Sequence, residues 1–139
     1  MTPHEMAQTH AAAFTQSRPW TTAEFADLLA NPFTHCVGSS DSFALFQVIA
    51  DEAELLTIAT HPTYQRRGLG QQCMADWHAK AKTLGAKRAF LDVAADNLPA
   101  IALYERCGYR PCGQRKGYYA RKTGETCDAI VMEYLLHLS

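Results

Sequence analysis

A basic, glycine-punctuated turn between an apolar strand and an amphipathic helix constrains this chain more than any other stretch. Gln65-Arg66-Arg67-Gly68-Leu69-Gly70 follows an apolar run that ends in Ile58-Ala59-Thr60-His61-Pro62 and leads straight into helical spacing from Leu69. A strand that turns this sharply into a helix aims several backbone N–H groups and the positive helix end at one point, which suits a phosphate. Gly68 and Gly70 let a ligand come close to the backbone, and Arg66 and Arg67 add charge. No Lys-Ser/Thr pair closes the turn as in a P-loop, and no third glycine completes a dinucleotide fingerprint. Taken alone, the turn reads equally as a tight strand-to-helix connection with solvated arginines.

The elements around the turn follow from local patterns. Met6, His10, Ala13 and Phe14 recur at helical spacing over residues 3–14, with Pro3 in the first turn. Thr21 caps a second helix that has Glu24 three residues on, an apolar side of Phe25, Leu28 and Leu29, and a stop at Asn31-Pro32. Trp20, just before the cap, is placed to staple against this helix. Residues 33–38 and 42–50 form a hairpin around Gly38-Ser39-Ser40-Asp41, and Glu52 to Thr60 adds a third antiparallel strand. The helix from 69 to 84 puts Leu69, Cys73, Trp77, Ala81 and Leu84 near one face, with Gln71, Asp76, Lys80 and Lys82 outward, and Gly85 ends it in a left-handed turn. Residues 88–94 are a strand, Leu98 to Cys107 a helix closed by Gly108, Tyr109 to Arg115 a strand, Lys116 to Thr126 a loop, and Asp128 to Leu136 the last strand. The order ααβββαβαββ predicts an α+β fold with a central mixed, mostly antiparallel sheet flanked by helices.

Composition narrows the setting. At 139 residues, 47% hydrophobic and 19% charged, the chain predicts a single domain with an ordinary core. No apolar run approaches the roughly 20 residues that span a bilayer, and no basic-then-apolar leader opens the chain, so the expectation is a cytoplasmic protein with no membrane partner. A net charge of −1 gives no reason to expect a nucleic-acid partner. Cys36, Cys73, Cys107, Cys112 and Cys127 form no Cys-x-x-Cys pair and read as reduced, mostly buried thiols, with no zinc, no other metal and no disulfide.

The turn, the helix after it, the strand Phe90-Leu91-Asp92-Val93 and the block Asn97-Leu98-Pro99-Ala100-Ile101-Ala102-Leu103-Tyr104-Glu105-Arg106-Cys107-Gly108-Tyr109 together resemble the GNAT superfamily of N-acetyltransferases over roughly residues 50–135. The resemblance implies acetyl-CoA as cosubstrate, its pyrophosphate on Gln65, Arg66, Arg67, Gly68, Leu69, Gly70 and Gln71, and further donor contacts from Ile58, Ala59, Thr60, Asn97, Ala100 and Tyr104. It also implies that Asn97 bonds the pantetheine arm and that Tyr104 protonates the departing thiolate. Seven residues separate the two, so two helical turns bring them to one face. Read from the residues alone, Asn97 is also a helix cap and Tyr104 a core aromatic.

Within the superfamily, the chain is similar to the RimI-type ribosomal-protein alanine N-acetyltransferases. In that group Leu-Glu-Val stands where this chain has Leu91-Asp92-Val93, and the Glu is assigned as general base. The shorter Asp92 favours proton removal through a bridging water. Glu54 is the second candidate base, and either acid reads equally as a salt-bridge partner. Arg115-Lys116-Gly117-Tyr118-Tyr119 with Asp128-Ala129-Ile130-Val131-Met132 resembles the group's groove-lining tail, with Gly117 where Asn is usual. The expected acceptor is a protein N-terminal α-amine. A small amine acceptor, or a non-catalytic acyl-CoA-binding regulator, stays open, as does the choice between monomer and homodimer.

Overall fold

A computed structural model describes residues 1–14 and 18–138, arranged as α1 (Pro3–Ala13), α2 (Thr22–Ala30), β1 (Thr34–Ser39), β2 (Ser42–Ile49), β3 (Glu52–Thr60), α3 (Leu69–Thr83), β4 (Arg88–Ala94), α4 (Leu98–Arg106), β5 (Arg110–Ala120) and β6 (Thr126–Leu135). One-turn 3₁₀ helices, Pro62–Tyr64 and Leu136–Leu138, complete the order. The expected ααβββαβαββ order is therefore observed. Capping boxes start both N-terminal helices, Thr2 with Glu5 and Thr21 with Glu24. Trp20 does staple α2, its ring 5.5 Å from that of Phe25 one turn in.

The six strands form one sheet in the order β1-β2-β3-β4-β6-β5. All neighbours run antiparallel except β3 and β4, which are parallel because α3 carries the chain between them. Strand alternation sends Ala44, Phe46, Leu91 and Met132 into a core that holds Met74 and Trp77 of α3. Phe43, Leu45 and Ala59 meet Met6 of α1 and Phe25 of α2 in a second core. The sheet is thus covered on both faces, α3 and α4 on one, α1 and α2 on the other.

Two features of this sheet shape the site. Leu45 pairs with Thr57 but Phe46 with Leu55, so Leu56 is an extra residue in β3. Such a bulge bends its strand. The ladder between β3 and β4 covers only Glu52–Arg88, Ala53–Ala89 and Glu54–Phe90, although both strands run on. Beyond Glu54 the two strands part and leave a cleft in mid-sheet.

Three sequence expectations need correction. Lys116 to Thr126 is not all loop: β5 continues to Ala120 through an irregularity between Arg115 and Tyr119. Gly117 takes φ +60° there, and its N–H donates to Asp128 Oδ1 at 2.8 Å. Polar composition hides this part of the strand, which pairs with β6 through Tyr119–Cys127 and Ala120–Thr126. Leu84 is 42% exposed, outside the apolar face of α3. Of the five cysteines, expected to be mostly buried, only Cys73 is buried, and Cys112 lies exposed on the sheet-edge strand β5.

Candidate active site

The cleft between β3 and β4 opens into a cavity of about 320 Å³. Its floor comes from Leu55 to Ile58 of β3 and Asp92 to Ala94 of β4, and its rim from Asn97 and Tyr104 of α4. One wall is His10 and Phe14 of the first helical segment with Arg18 and Trp20, and the other is Tyr118 to Arg121 around the β5 irregularity.

The basic turn lies outside this lining, between β3 and α3. Gly68 takes φ +77° as the N-cap of α3, and Arg66 takes φ +64°, a left-handed conformation uncommon for a residue with a Cβ. No side chain caps this helix, whereas α1, α2 and α4 each have one. Its first-turn N–H groups, which a helix cannot satisfy itself, therefore point outward together. A Cβ placed on Gly68 would meet nothing within 4 Å, and one on Gly70 only Leu103 Cδ2 at 3.6 Å. Arg66 and Arg67 are exposed, and Arg67 lies over the Tyr64 ring. The donor set of backbone N–H groups and guanidinium groups fits the pyrophosphate of coenzyme A.

Asp92 stands on the α1/α2 face of β4, between the buried Leu91 and Val93 of the opposite face, and its side chain is only 14% exposed. Arg115 Nε lies 3.2 Å from its Oδ1. Glu54 shares this face at the last paired row before the strands part. Burial raises the Glu54 pKa and the negative charge of Asp92 raises it further, with Arg115 opposing. Asp92 lines the cavity, and Glu54 does not.

Tyr104 is 7% exposed, and burial, with a smaller contribution from Cys107, pushes its pKa well up, so its hydroxyl stays protonated at neutral pH. No side-chain nitrogen or oxygen sealed from solvent lacks a partner among the described residues. The Tyr104 hydroxyl has no protein partner among those residues, so it opens on the cavity that the ring lines. Asn97 Oδ1 caps α4 by accepting from the Ala100 N–H at 3.3 Å. The cap reading therefore holds, and the Asn97 amide nitrogen has no partner among the described residues.

The family model for GNAT acetyltransferases matches residues 4–109. The chain belongs to that family. The chain is 42% identical to the ribosomal protein bS18-alanine N-acetyltransferase of Salmonella typhimurium over 91 residues, a stretch that covers 66% of this chain but only 61% of that relative. It is 36% identical to the protein of the same name from Escherichia coli over 118 residues, 82% of this chain and 79% of the relative. The crystal structure of the Escherichia coli ribosomal-protein alanine N-acetyltransferase superposes with a TM-score of 0.86 at 30% identity, over 99% of this chain and 89% of that one.

The GNAT architecture puts the remaining sequence candidates in distinct places. The Gln65 amide donates to the Thr60 carbonyl at 3.2 Å and so closes the turn. Thr60 Oγ1 is 2.9 Å from Ser42 Oγ, the Ala59 side chain is buried in the α1/α2 core, and both residues pair with β2. Ile58 reaches the cavity, Leu69 and Ala100 are half-buried, and Gln71 is exposed. The separation of β3 from β4 escaped sequence reasoning, because a parallel ladder that stops after three rows has no local signature. His10 also escaped: a histidine on the apolar side of a helix looks like core until the cavity is seen.

Proposed function

We propose that this GNAT acetyltransferase transfers the acetyl group of acetyl-CoA to the α-amine of a protein N-terminus, with a ribosomal protein as its natural acceptor. One observation carries the reading: the Asp92 carboxylate and the protonated Tyr104 hydroxyl line one cavity where β3 and β4 part. Bound acetyl-CoA supplies an activated thioester carbonyl. The turn from Gln65 to Gln71 holds its pyrophosphate, and the separated edges of β3 and β4 offer peptide groups to the amides of its pantetheine arm.

Asp92 takes the proton from the incoming ammonium through a water, since its arm is one methylene shorter than that of Glu. Tyr104 donates its proton to the departing sulfur. Glu54, behind Asp92 and outside the cavity, acts through its charge. The acceptor enters between the His10–Trp20 wall and the Tyr118–Arg121 wall, an opening that suits an extended chain end. Likeness to relatives that act on bS18 supports the ribosomal acceptor. The reading places the enzyme in the cytoplasm, where its five free thiols stay reduced.

The deciding experiment is a thioester-consumption screen over N-terminal peptides, small amines and a no-acceptor control. Peptides are expected to be consumed with kcat/KM at least about 10-fold above the amines. Equal or better use of a small amine would move the enzyme to small-molecule acetylation. Binding of acetyl-CoA with no acceptor consumed would leave a regulator.

A further inference from the structure

His10 is a charged-residue type kept neutral in the wall of the acceptor cavity, and none of its chemistry is used by acetyl transfer as described above. The ring is 4% exposed and lies between Phe14, whose ring centroid is 4.3 Å away, and Trp20, at 5.1 Å, both stacked on it. The edge of Phe25 packs at 5.6 Å. The backbone N–H of Trp20 donates to Nδ1 at 3.1 Å. A neutral imidazole that accepts at Nδ1 carries its proton on Nε2. Burial lowers the pKa to about 4, with Glu24 opposing and Arg18 adding to the fall, so the neutral tautomer holds at physiological pH.

Nε2 has no protein partner among the described residues, and no sealed side-chain nitrogen among them lacks one. The Nε2–H therefore meets the open space that His10 lines. A buried N–H without a protein acceptor calls for an oxygen from elsewhere. Its stacking partners and the Trp20 amide fix the ring, so the donor direction is set before any ligand arrives.

We infer that His10 is a specificity-determining residue whose Nε2–H donates to the carbonyl oxygen of the acceptor's N-terminal residue, so that the enzyme selects α-amino amides over simple amines. The inference rests on the proposed N-terminal acetylation. Once the α-amine is beside Asp92, the acceptor oxygen nearest in covalent structure is that residue's own carbonyl, bonded to the carbon that bears the nitrogen. A monoamine has no such oxygen. It leaves the Nε2–H desolvated and unpaired, and this penalty produces the discrimination.

The test compares an alanine-terminated peptide amide with isopropylamine, which has the same methyl branch without the carbonyl, in wild type and in His10→Phe. The variant keeps the aromatic stack and removes the donor. The expected result is a rise in peptide KM about 5- to 10-fold beyond any change with isopropylamine, the scale of one neutral hydrogen bond, with acetyl-CoA affinity unchanged. Equal losses on the two acceptors, or none, would overturn the inference. A second measurement needs no variant. In wild type labelled with ¹⁵N-histidine and saturated with coenzyme A, the His10 Nε2 proton resonance should move when the peptide is added and stay put with isopropylamine. A proton found on Nδ1, or a resonance that ignores the peptide, would overturn it as well. Failure of wild type to acetylate either acceptor would instead sink the proposed function beneath it.

Discussion

Arg115 Nε lies 3.2 Å from Asp92 Oδ1, which ties the irregular part of β5 to the floor of the cleft. Arg115 is half exposed, so the pair contributes little to stability. Its effect is to orient the carboxylate of a residue that lines the cavity.

If Asp92 takes the proton, Asp92→Asn removes the acceptor lone pair that matters. The rate at neutral pH should fall about 10²-fold, and the ascending limb of the pH–rate profile should disappear. Asp92→Glu should be tolerated or faster, because it shortens the path to the amine, and Glu54→Gln should change little. Profiles in which Glu54→Gln is dead and Asp92→Asn is near wild type would transfer the role to β3.

Tyr104→Phe deletes one hydroxyl that opens on the cavity and leaves the ring in the core. Acetyl-CoA affinity and thermal stability should persist while kcat falls about 10²-fold or more, the scale of a lost general acid. Turnover within a factor of about two of wild type would make the residue packing alone.

At the turn, Gly70→Glu adds a like charge where the pyrophosphate is proposed to bind. The Cβ itself has room, 3.6 Å from Leu103 Cδ2, so the fold should survive while calorimetry shows acetyl-CoA binding severely weakened. Unchanged affinity in the folded variant would remove the turn from the donor site.

Stability should decline between neutral and acidic pH for a specific reason. Burial holds His10 and His78 each at about 4, below the ordinary 6.5, and His78 Nε2 lies 2.6 Å from the Tyr109 hydroxyl in the α3/α4 core. The unfolded chain therefore binds protons first as pH falls. Their contribution is complete above about pH 6.5 and is lost toward pH 4, with a slope of up to about 1.4 kcal/mol per pH unit for each histidine. Glu54, raised in the folded state, offsets part of this. Urea midpoints at pH 7.5 and 5 read the effect, and equal midpoints would refute it.

Local signals fixed much of this molecule. The capping boxes at Thr2 and Thr21, the strand and helix periods, and the left-handed residue at Gly85 depend on neighbours a few positions away, so the elements were legible from the chain. The turn from Gln65 to Gly70 and the block from Asn97 to Tyr109 are also contiguous, which is why the family could be read from them. The acceptor side could not, because its parts are distant in sequence. The bulge at Leu56 exists only in register against β2, and the parting of β3 from β4 only when both sit in one sheet. Asp128 props the β5 irregularity that swings Tyr118 and Tyr119 across the cleft, and Arg115 reaches Asp92 from two strands away. His10 gained its meaning only when Trp20, ten residues later, bonded one ring nitrogen and left the other for the cavity. Period and capping are properties of short stretches of backbone, whereas hydrogen-bond vacancies and desolvation belong to the packed whole, and those decided where the chemistry of this chain is set.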